Sequence, residues 1–143
     1  MIAIAIISAT TAAALQAGAA LQRRASEEEL LFVGEQYRDA LISYANATPA
    51  GALRLPPTLN DLLKDPRYPT TRRHLRKIFT DPLTGKTEWG LIRSPDGRGI
   101  IGVHSLADGK PVKQANFITA FHAFNGKSSY RDWIFSGPQQ LQQ

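Results

Sequence analysis

The sequence predicts an α+β fold in which one long N-terminal α-helix packs on a small antiparallel β-sheet accompanied by short helices. Three features of the 143-residue chain favour it. Residues 2–47 contain no proline, the apolar residues in the second part of this stretch follow a helical spacing, and from Thr87 onward the pattern changes to that of strands and turns. The length is that of one domain of ordinary size.

An apolar stripe marks the second part of the predicted helix, the segment ASEEELLFVGEQYRDALISYAN. Its large apolar residues recur every three or four positions, which places them on one face of a helix. We expect this face to seat the helix on the rest of the domain through Leu30, Val33, Tyr37, Leu41 and Tyr44.

The junction between the two parts of the helix permits two interpretations. Ser26 and Glu29 have the spacing of a capping box, which would begin a new helix. Arg23 and Glu27 lie four residues apart, which would support a helix that continues through the junction. We expect one continuous helix that ends before Pro49.

Segment 1–22 has no charged residue, and Arg23 and Arg24 follow it directly. A membrane-spanning helix needs about 20 predominantly apolar residues, and the segment has that length. Many of its residues are Ala, however, so the sequence predicts a marginal span or part of a longer one. Small residues at close spacing suit helix–helix packing in a membrane or a filament. We therefore divide the chain into a hydrophobic membrane or assembly segment, 1–22, and a remainder, 23–143, that holds the amphipathic half of the helix and a globular head.

Two other interpretations of segment 1–22 compete with this one. Ala17-Gly18-Ala19 has the small-x-small pattern of a signal-peptidase site, although no Lys or Arg precedes the apolar run. A buried Ala-rich core helix is the second, but the segment has no stripe of large residues with which to pack.

Basic residues concentrate in one short region, within a chain of net charge +5. The cluster comprises Arg67, Arg72, Arg73, His74, Arg76 and Lys77. The first interpretation of this cluster is a solvated face. The second is a contact between subunits, in which the basic residues of one copy bind an acidic run of another. The residues concerned are Arg72, Arg73 and Arg76 on one side and Glu27, Glu28 and Glu29 on the other. Nucleic acid ranks third, because few aromatic residues are interleaved with the basic ones.

The rest of the chain predicts short elements. LPPTLNDLLKDP is typical of a short helix with Thr58 as N-cap, and RYPTTRRHLRKIF of a further helical turn. TEWGLIR and IIGVHSL are predicted strands of a hairpin with Asp96-Gly97 at its tip, and SYRDWIF is a third strand candidate. ANFITAFHAF stays ambiguous, since its Phe residues follow a helical spacing within a β-rich region.

The sequence offers little support for catalysis or a cofactor. The chain has no Cys, which excludes disulfides, thiolate catalysis and Cys-based zinc sites. The stretch from Gly97 to Gly102 matches G-x-G-x-x-G, but it leads into a β-patterned segment, so we interpret it as a hairpin turn. His74, His104 and His122 lack metal-ligand spacing. We therefore expect that the chain is not an enzyme and that it binds neither a resident cofactor nor a metal.

Several strings of this sequence resemble the type II secretion pseudopilins, close to the major pseudopilin group. The likeness extends from Arg23 to about Phe135 through EEELLFVGEQYRDAL, LPPTLNDLLKDPR, TRRHLRKIFTDPLTGKTEWGLI, SLADGKP and YRDWIF. It implies a type IV pilin-like fold and a single-pass protein of the bacterial inner membrane with a periplasmic C-terminal head. Such a subunit assembles with copies of itself and other pseudopilins into a short filament that supports protein export. Its further partners would be the inner-membrane secretion platform and inner-membrane lipid.

The sequence departs from that family in three respects. By the positive-inside rule Arg23 and Arg24 would lie in the cytoplasm, which is opposite to the pilin orientation. The family has a leader cut before a Phe and a Glu at the fifth mature position, whereas no Phe precedes Phe32 and no Glu precedes Glu27 here. We expect Met1 to be an internal start, with the leader and the first residues of the helix missing. The family also implies a calcium site in an acidic loop after the turn that matches Asp108-Gly109. This chain has Lys110 and Lys113 there, so we expect no calcium.

An alternative function comes from another class of protein. A cleaved signal peptide would release a small periplasmic or secreted binding protein, and the basic residues Arg72, Arg73, Arg76 and Lys77 would then bind DNA or another polyanion.

Overall fold

The computed structural model describes the backbone of residues 2–138 and the side chains of residues 13–138. A long helix comes first and is followed by a short helix, two strands, two 3₁₀ helices and a last short strand. In chain order these are α1 (Ile2–Asn46), α2 (Asn60–Leu63), β1 (Gly90–Arg93), β2 (Ile100–His104), the 3₁₀ helices Thr119–Phe124 and Tyr130–Asp132, and β3 (Phe135–Ser136). The predicted α+β class is confirmed: a long N-terminal helix packs on a small antiparallel sheet.

Helix α1 runs without a break through residues 23–29, so the continuous helix is confirmed and no new helix begins at Ser26. Its last turn closes with a hydrogen bond from the Ala47 amide to the Ser43 carbonyl, at 3.0 Å. The Thr48 hydroxyl donates to the Tyr44 carbonyl at 3.2 Å. The helix therefore ends shortly before Pro49, as predicted.

The three-stranded sheet has the order β1-β2-β3, and both pairs are antiparallel. Between β1 and β2 the Ser94 amide donates to the Gly99 carbonyl at 2.8 Å, and Gly97 has a positive φ of 72°. The predicted hairpin is confirmed, and the G-x-G-x-x-G match belongs to its turn and to β2.

The prediction for SYRDWIF is only partly right, because the strand is confined to Phe135–Ser136. The preceding residues, Tyr130–Asp132, form a 3₁₀ turn. Its cause is local: the Ser129 hydroxyl accepts a hydrogen bond from the Arg131 amide at 3.2 Å and caps the turn. The ambiguous stretch ANFITAFHAF forms 3₁₀ turns over Thr119–Phe124, with a kink at Phe121.

The predicted short helix after Pro57 is present as α2, but its N-cap is Leu59 rather than Thr58. The Thr58 side chain does not cap the helix, because its place is taken by the Asp61 carboxylate, which accepts a hydrogen bond from the Thr58 amide at 3.0 Å. The further helical turn predicted in RYPTTRRHLRKIF is wrong, since residues 67–79 contain no helix. The segment folds back on α2 instead. The Leu62 carbonyl accepts hydrogen bonds from the amides of His74 and Leu75, at 2.8 and 2.9 Å.

The core lies between the second half of α1 and the sheet. Every residue of the predicted stripe is buried in one apolar cluster: Leu30, Val33, Tyr37, Leu41 and Tyr44. The ring of Phe135 lies directly on the backbone of α1 at Gly34, where a Cβ atom would overlap it. Glycine at this position therefore lets β3 approach the helix closely. The head contacts α1 from Arg23 to Ala45.

Candidate functional site

The helix α1 extends beyond the head, and its side chains from residue 13 to residue 25 are exposed. Leu15 and Leu21 are 71% and 68% exposed, and a Cβ atom at Gly18 would meet open space. Residues 13–22 include no charge. Among the residues that the structure describes, no helix is long and apolar enough to cross a membrane.

An apolar groove lies further along the helix, where Leu31, Phe32 and Glu35 line it from α1. Phe32 projects from α1 and is 59% exposed, and Ile118 faces it from the head and is 54% exposed. Glu35 and Lys113 stand at the rim with opposite charges. The remaining lining residues are Asn116, Phe117 and Phe121. We call this surface the Phe32 groove. It was not predicted from the sequence, because Phe32 lies off the apolar stripe and its partner is far along the chain.

The predicted basic contact residues Arg72, Arg73 and Arg76 are all exposed. The guanidinium carbon of Arg72 lies 4.6 Å from the centroid of the Tyr68 ring. Arg73 and Arg76 line one cleft together with Lys77 and Phe79. Arg73 and Arg76 therefore share one cleft, whereas Arg72 lines a separate cleft at the end of α1.

The three Glu residues of the predicted subunit contact differ in exposure. Glu28 and Glu29 are exposed, whereas Glu27 is buried at 1% exposure. Since the Glu27 carboxylate is bound inside its own chain, the structure removes it from the set of candidate subunit contacts. Across residues 13–138, none of the ion pairs includes Glu28, Glu29 or the three exposed arginines.

The Glu27 carboxylate fastens a distant loop to α1. Its oxygens accept hydrogen bonds from the amides of Val112 and Lys113, at 2.6 and 3.0 Å, and from the Tyr130 hydroxyl at 2.5 Å. The Arg23 Nε donates to the same hydroxyl at 3.0 Å, and another nitrogen of Arg23 donates to the carbonyl of Asp108 at 3.3 Å. Burial raises the pKa of Tyr130, while the hydrogen bond from Arg23 opposes that shift. We call Arg23, Glu27 and Tyr130 the stem clamp.

A second polar cluster ties the segment after α2 to the end of α1. Asp65 is fully buried and accepts hydrogen bonds from two nitrogens of the Arg67 side chain, at 2.8 and 2.7 Å. Arg67 also donates to the carbonyls of Tyr44 and Leu53, at 2.7 and 2.8 Å. The Arg67 guanidinium holds the pKa of the Asp65 carboxyl well below its usual range. This fork places a cation at the C-terminal end of α1, where the helix dipole favours it.

His74 completes this cluster, because its Nε2 lies 2.9 Å from Asp65 Oδ2 and its Nδ1 lies 2.7 Å from Ser43 Oγ. These are the residue types of a serine-hydrolase triad, but the geometry fits a structural role better. The ring nitrogen that faces the serine is Nδ1 rather than Nε2, and Asp65 is already paired with Arg67. Ser43 also lies within α1, where backbone amides are engaged in the helix instead of forming an oxyanion hole. From the sequence, His74 was expected in the basic cluster and without metal-ligand spacing, so this contact was not predicted. The solvated face expected for that cluster is wrong for Arg67 and His74, because both are bound to the buried Asp65.

No protein-family model, no curated protein and no solved structure matches this chain.

Proposed function

We propose that this chain is a structural subunit of a type II secretion pseudopilus. In this role α1 anchors the subunit in the bacterial inner membrane, the head lies in the periplasm, and assembly proceeds by packing of helices from neighbouring copies. The observation that carries the proposal is the division of α1. One face of its second half is buried against the head, while residues 13–22 are uncharged and exposed.

A helix segment of this kind gains stability from partners outside its own head. Isolated helices are marginal in water, and most helical stability in proteins comes from packing of an apolar face. The exposed residues 13–22 are mainly Ala, with Leu15 and Leu21 as the large side chains. Small side chains let two helix backbones approach closely. Lipid and the helices of other subunits are both suitable surroundings for such a segment.

The Phe32 groove supplies a matching surface on the head. We propose that the exposed segment 13–22 of a second copy lies in this groove. The occupant is uncharged, and the opposite charges of Glu35 and Lys113 at the rim leave the groove without a net charge. The exposed Glu28 and Glu29 would then pair with Arg72, Arg73 and Arg76 of another copy and set the register.

Cell fractionation and cross-linking test the proposal together. The full chain is expected in the membrane fraction, and deletion of residues 1–22 should release it. Because the natural chain has no Cys, two differently tagged copies carrying Leu21→Cys and Ile118→Cys should form a mixed dimer with a short bismaleimide. A pair carrying Leu21→Cys and Asn125→Cys is the control, since Asn125 is exposed but lies outside the groove. A freely soluble full chain that forms no mixed dimer would contradict the proposal.

A second candidate function is a periplasmic binding protein for DNA or another polyanion. The grouping of Arg73, Arg76 and Lys77 in one cleft, with Arg72 exposed nearby, favours it. Binding to duplex DNA would then weaken steeply with salt and be reduced by the Arg72→Ala, Arg73→Ala double variant. Absence of a salt-sensitive mobility shift with the natural chain would eliminate this candidate.

A further inference from the structure

The loop after β2 lies against the first residues of the amphipathic half of α1. Between His104 and the 3₁₀ helix at Thr119 it has no regular secondary structure, so its backbone amides need partners other than a sheet. Two of them, those of Val112 and Lys113, point at the buried Glu27 carboxylate. In the pseudopilins that this sequence resembles, a calcium ion is expected in the corresponding loop.

The residues of this loop do not fit a calcium site. The Asp108 carboxylate is 98% exposed, and Lys110 and Lys113 follow it. Calcium takes six to eight oxygen ligands, usually with more than one carboxylate. The Glu27 oxygens already accept three hydrogen bonds, and the amides that reach them are donors, which cannot ligate a cation. In the part of the chain that the structure describes, no group of three or more His, Cys, Asp or Glu side chains could hold a metal ion.

We infer that the stem clamp holds this loop in place of a metal ion, so that the head keeps its loop ordered without calcium. Glu27 supplies the negative charge, and it comes from the helix rather than from the loop. Tyr130 donates to that carboxylate at 2.5 Å and accepts from Arg23 at 3.0 Å. The three side chains thus bind the loop, the last 3₁₀ turn and α1 to one another. The comparison with calcium rests on the proposed function, whereas the hydrogen bonds of the clamp lie within one chain and do not.

The clamp also links the loop to the exposed part of the helix. Arg23 is the first charged residue after the uncharged segment, and it reaches the Asp108 carbonyl at 3.3 Å. Val112 and Lys113 lie more than eighty residues away from Glu27 in the chain, as the separations of 85 and 86 show. Hydrogen bonds to a charged acceptor are about twice as strong as neutral ones, so a few of them are enough to order a short loop.

Amide hydrogen exchange of the full chain in mild detergent tests this inference, with and without millimolar CaCl₂ or EGTA. For the natural chain we expect neither reagent to change the exchange of the Val112 and Lys113 amides. Glu27→Gln should speed their exchange on the order of ten- to hundred-fold, because a neutral amide replaces the carboxylate. Added calcium should not restore protection. Glu28→Gln is the matched control, since Glu28 is exposed on the same helix, and it should leave both amides unchanged.

Two results would overturn the inference: calcium that slows exchange of the loop amides in the natural chain, or a folded Glu27→Gln variant whose loop amides exchange as before. If Glu27→Gln fails to fold, Tyr130→Phe gives a second test. It removes only the hydroxyl, so we expect a folded head in which the same two amides exchange severalfold faster. Unchanged exchange in Tyr130→Phe would refute the part assigned to Tyr130.

Discussion

Arg67 lies across the face of the Tyr44 ring, with its guanidinium carbon 3.5 Å from the ring centroid. The same guanidinium donates to the Tyr44 carbonyl at 2.7 Å and to both Asp65 oxygens. One side chain therefore joins the last turns of α1 to the segment after α2. Because Asp65 is fully buried, its charge is compensated chiefly by this contact.

Replacement of Arg67 by Ala should destabilise the head strongly. The variant leaves the Asp65 carboxylate buried without its main partner, and removal of one member of a buried ion pair costs about 3–5 kcal/mol. Equilibrium unfolding in urea, followed by tryptophan fluorescence, measures the change. Arg72→Ala is the control, because Arg72 is exposed and its substitution should change the free energy of unfolding by less than about 0.5 kcal/mol. Equal effects of the two substitutions would refute this account.

The Asp65 carboxyl should also cause a loss of folding stability at acidic pH. Its pKa is lowered in the folded chain by Arg67 and, to a smaller extent, by His74, from an ordinary value of 3.8. The folded state therefore binds fewer protons than the unfolded state, and the stabilisation is present above the ordinary pKa. It should be lost as the pH falls below about 4. The free energy of unfolding measured between pH 6 and pH 2 should fall less steeply for Asp65→Asn, although that variant is less stable at pH 6.

At alkaline pH, the Tyr37 hydroxyl should cause a loss of folding stability as the pH rises. Burial raises its pKa from 10.0 to about 12, and its hydroxyl accepts a hydrogen bond from the Phe79 amide at 3.0 Å. The folded state retains the proton where the unfolded state has lost it, so the stabilisation is complete below pH 10 and declines as the pH rises towards 12. Unfolding measured from pH 9 to pH 12 should show this decline, and Tyr37→Phe should reduce it. An unchanged slope in that variant would contradict the assignment.

Much of the fold could be predicted from local patterns. The absence of proline before Pro49 and the spacing of Leu30, Val33 and Tyr37 predicted a continuous amphipathic helix, and Asp96-Gly97 predicted the hairpin. These features depend on near neighbours in the chain, whose geometry the residue types themselves restrict.

The polar clusters could not be predicted in the same way. Glu27 stands in a run of three acids, and nothing near it in sequence indicates that it is buried, since its amide partners lie 85 and 86 residues away. His74 was expected in a helical turn, but its amide and its ring are both engaged by residues around α2, at Leu62 and Asp65. In both cases the position of the residue depends on a tertiary hydrogen bond, which local propensity does not indicate.

The close contact of Gly34 with Phe135 predicts an unusual effect of Ala in a helix. Glycine-to-alanine substitution in a helix normally stabilises by roughly 0.5–1 kcal/mol. At Gly34 the added Cβ would overlap the Phe135 ring, and overpacking of a core costs typically about 1–3 kcal/mol, so the net effect should be destabilising. Thermal unfolding by circular dichroism measures it. Gly18→Ala, at an open position of the same helix, should leave the melting of the head unchanged and increase helicity. A stabilised Gly34→Ala variant would show that β3 can retreat from α1.

Substitutions in the Phe32 groove should impair the contact between copies without destabilising the head. Phe32 and Ile118 are 59% and 54% exposed, so Phe32→Glu and Ile118→Glu should change the free energy of unfolding of the head by less than about 0.5 kcal/mol. If the segment 13–22 of a second copy lies in this groove, a buried carboxylate there would be costly. Phe32→Glu, added to the copy that carries Ile118→Cys, should therefore abolish the mixed cross-linked dimers described above. Leu53→Glu is the matched control, because Leu53 is 49% exposed and lies outside the groove. Its dimers should persist. If Phe32→Glu and Leu53→Glu cross-link equally well, the groove is not the contact between copies.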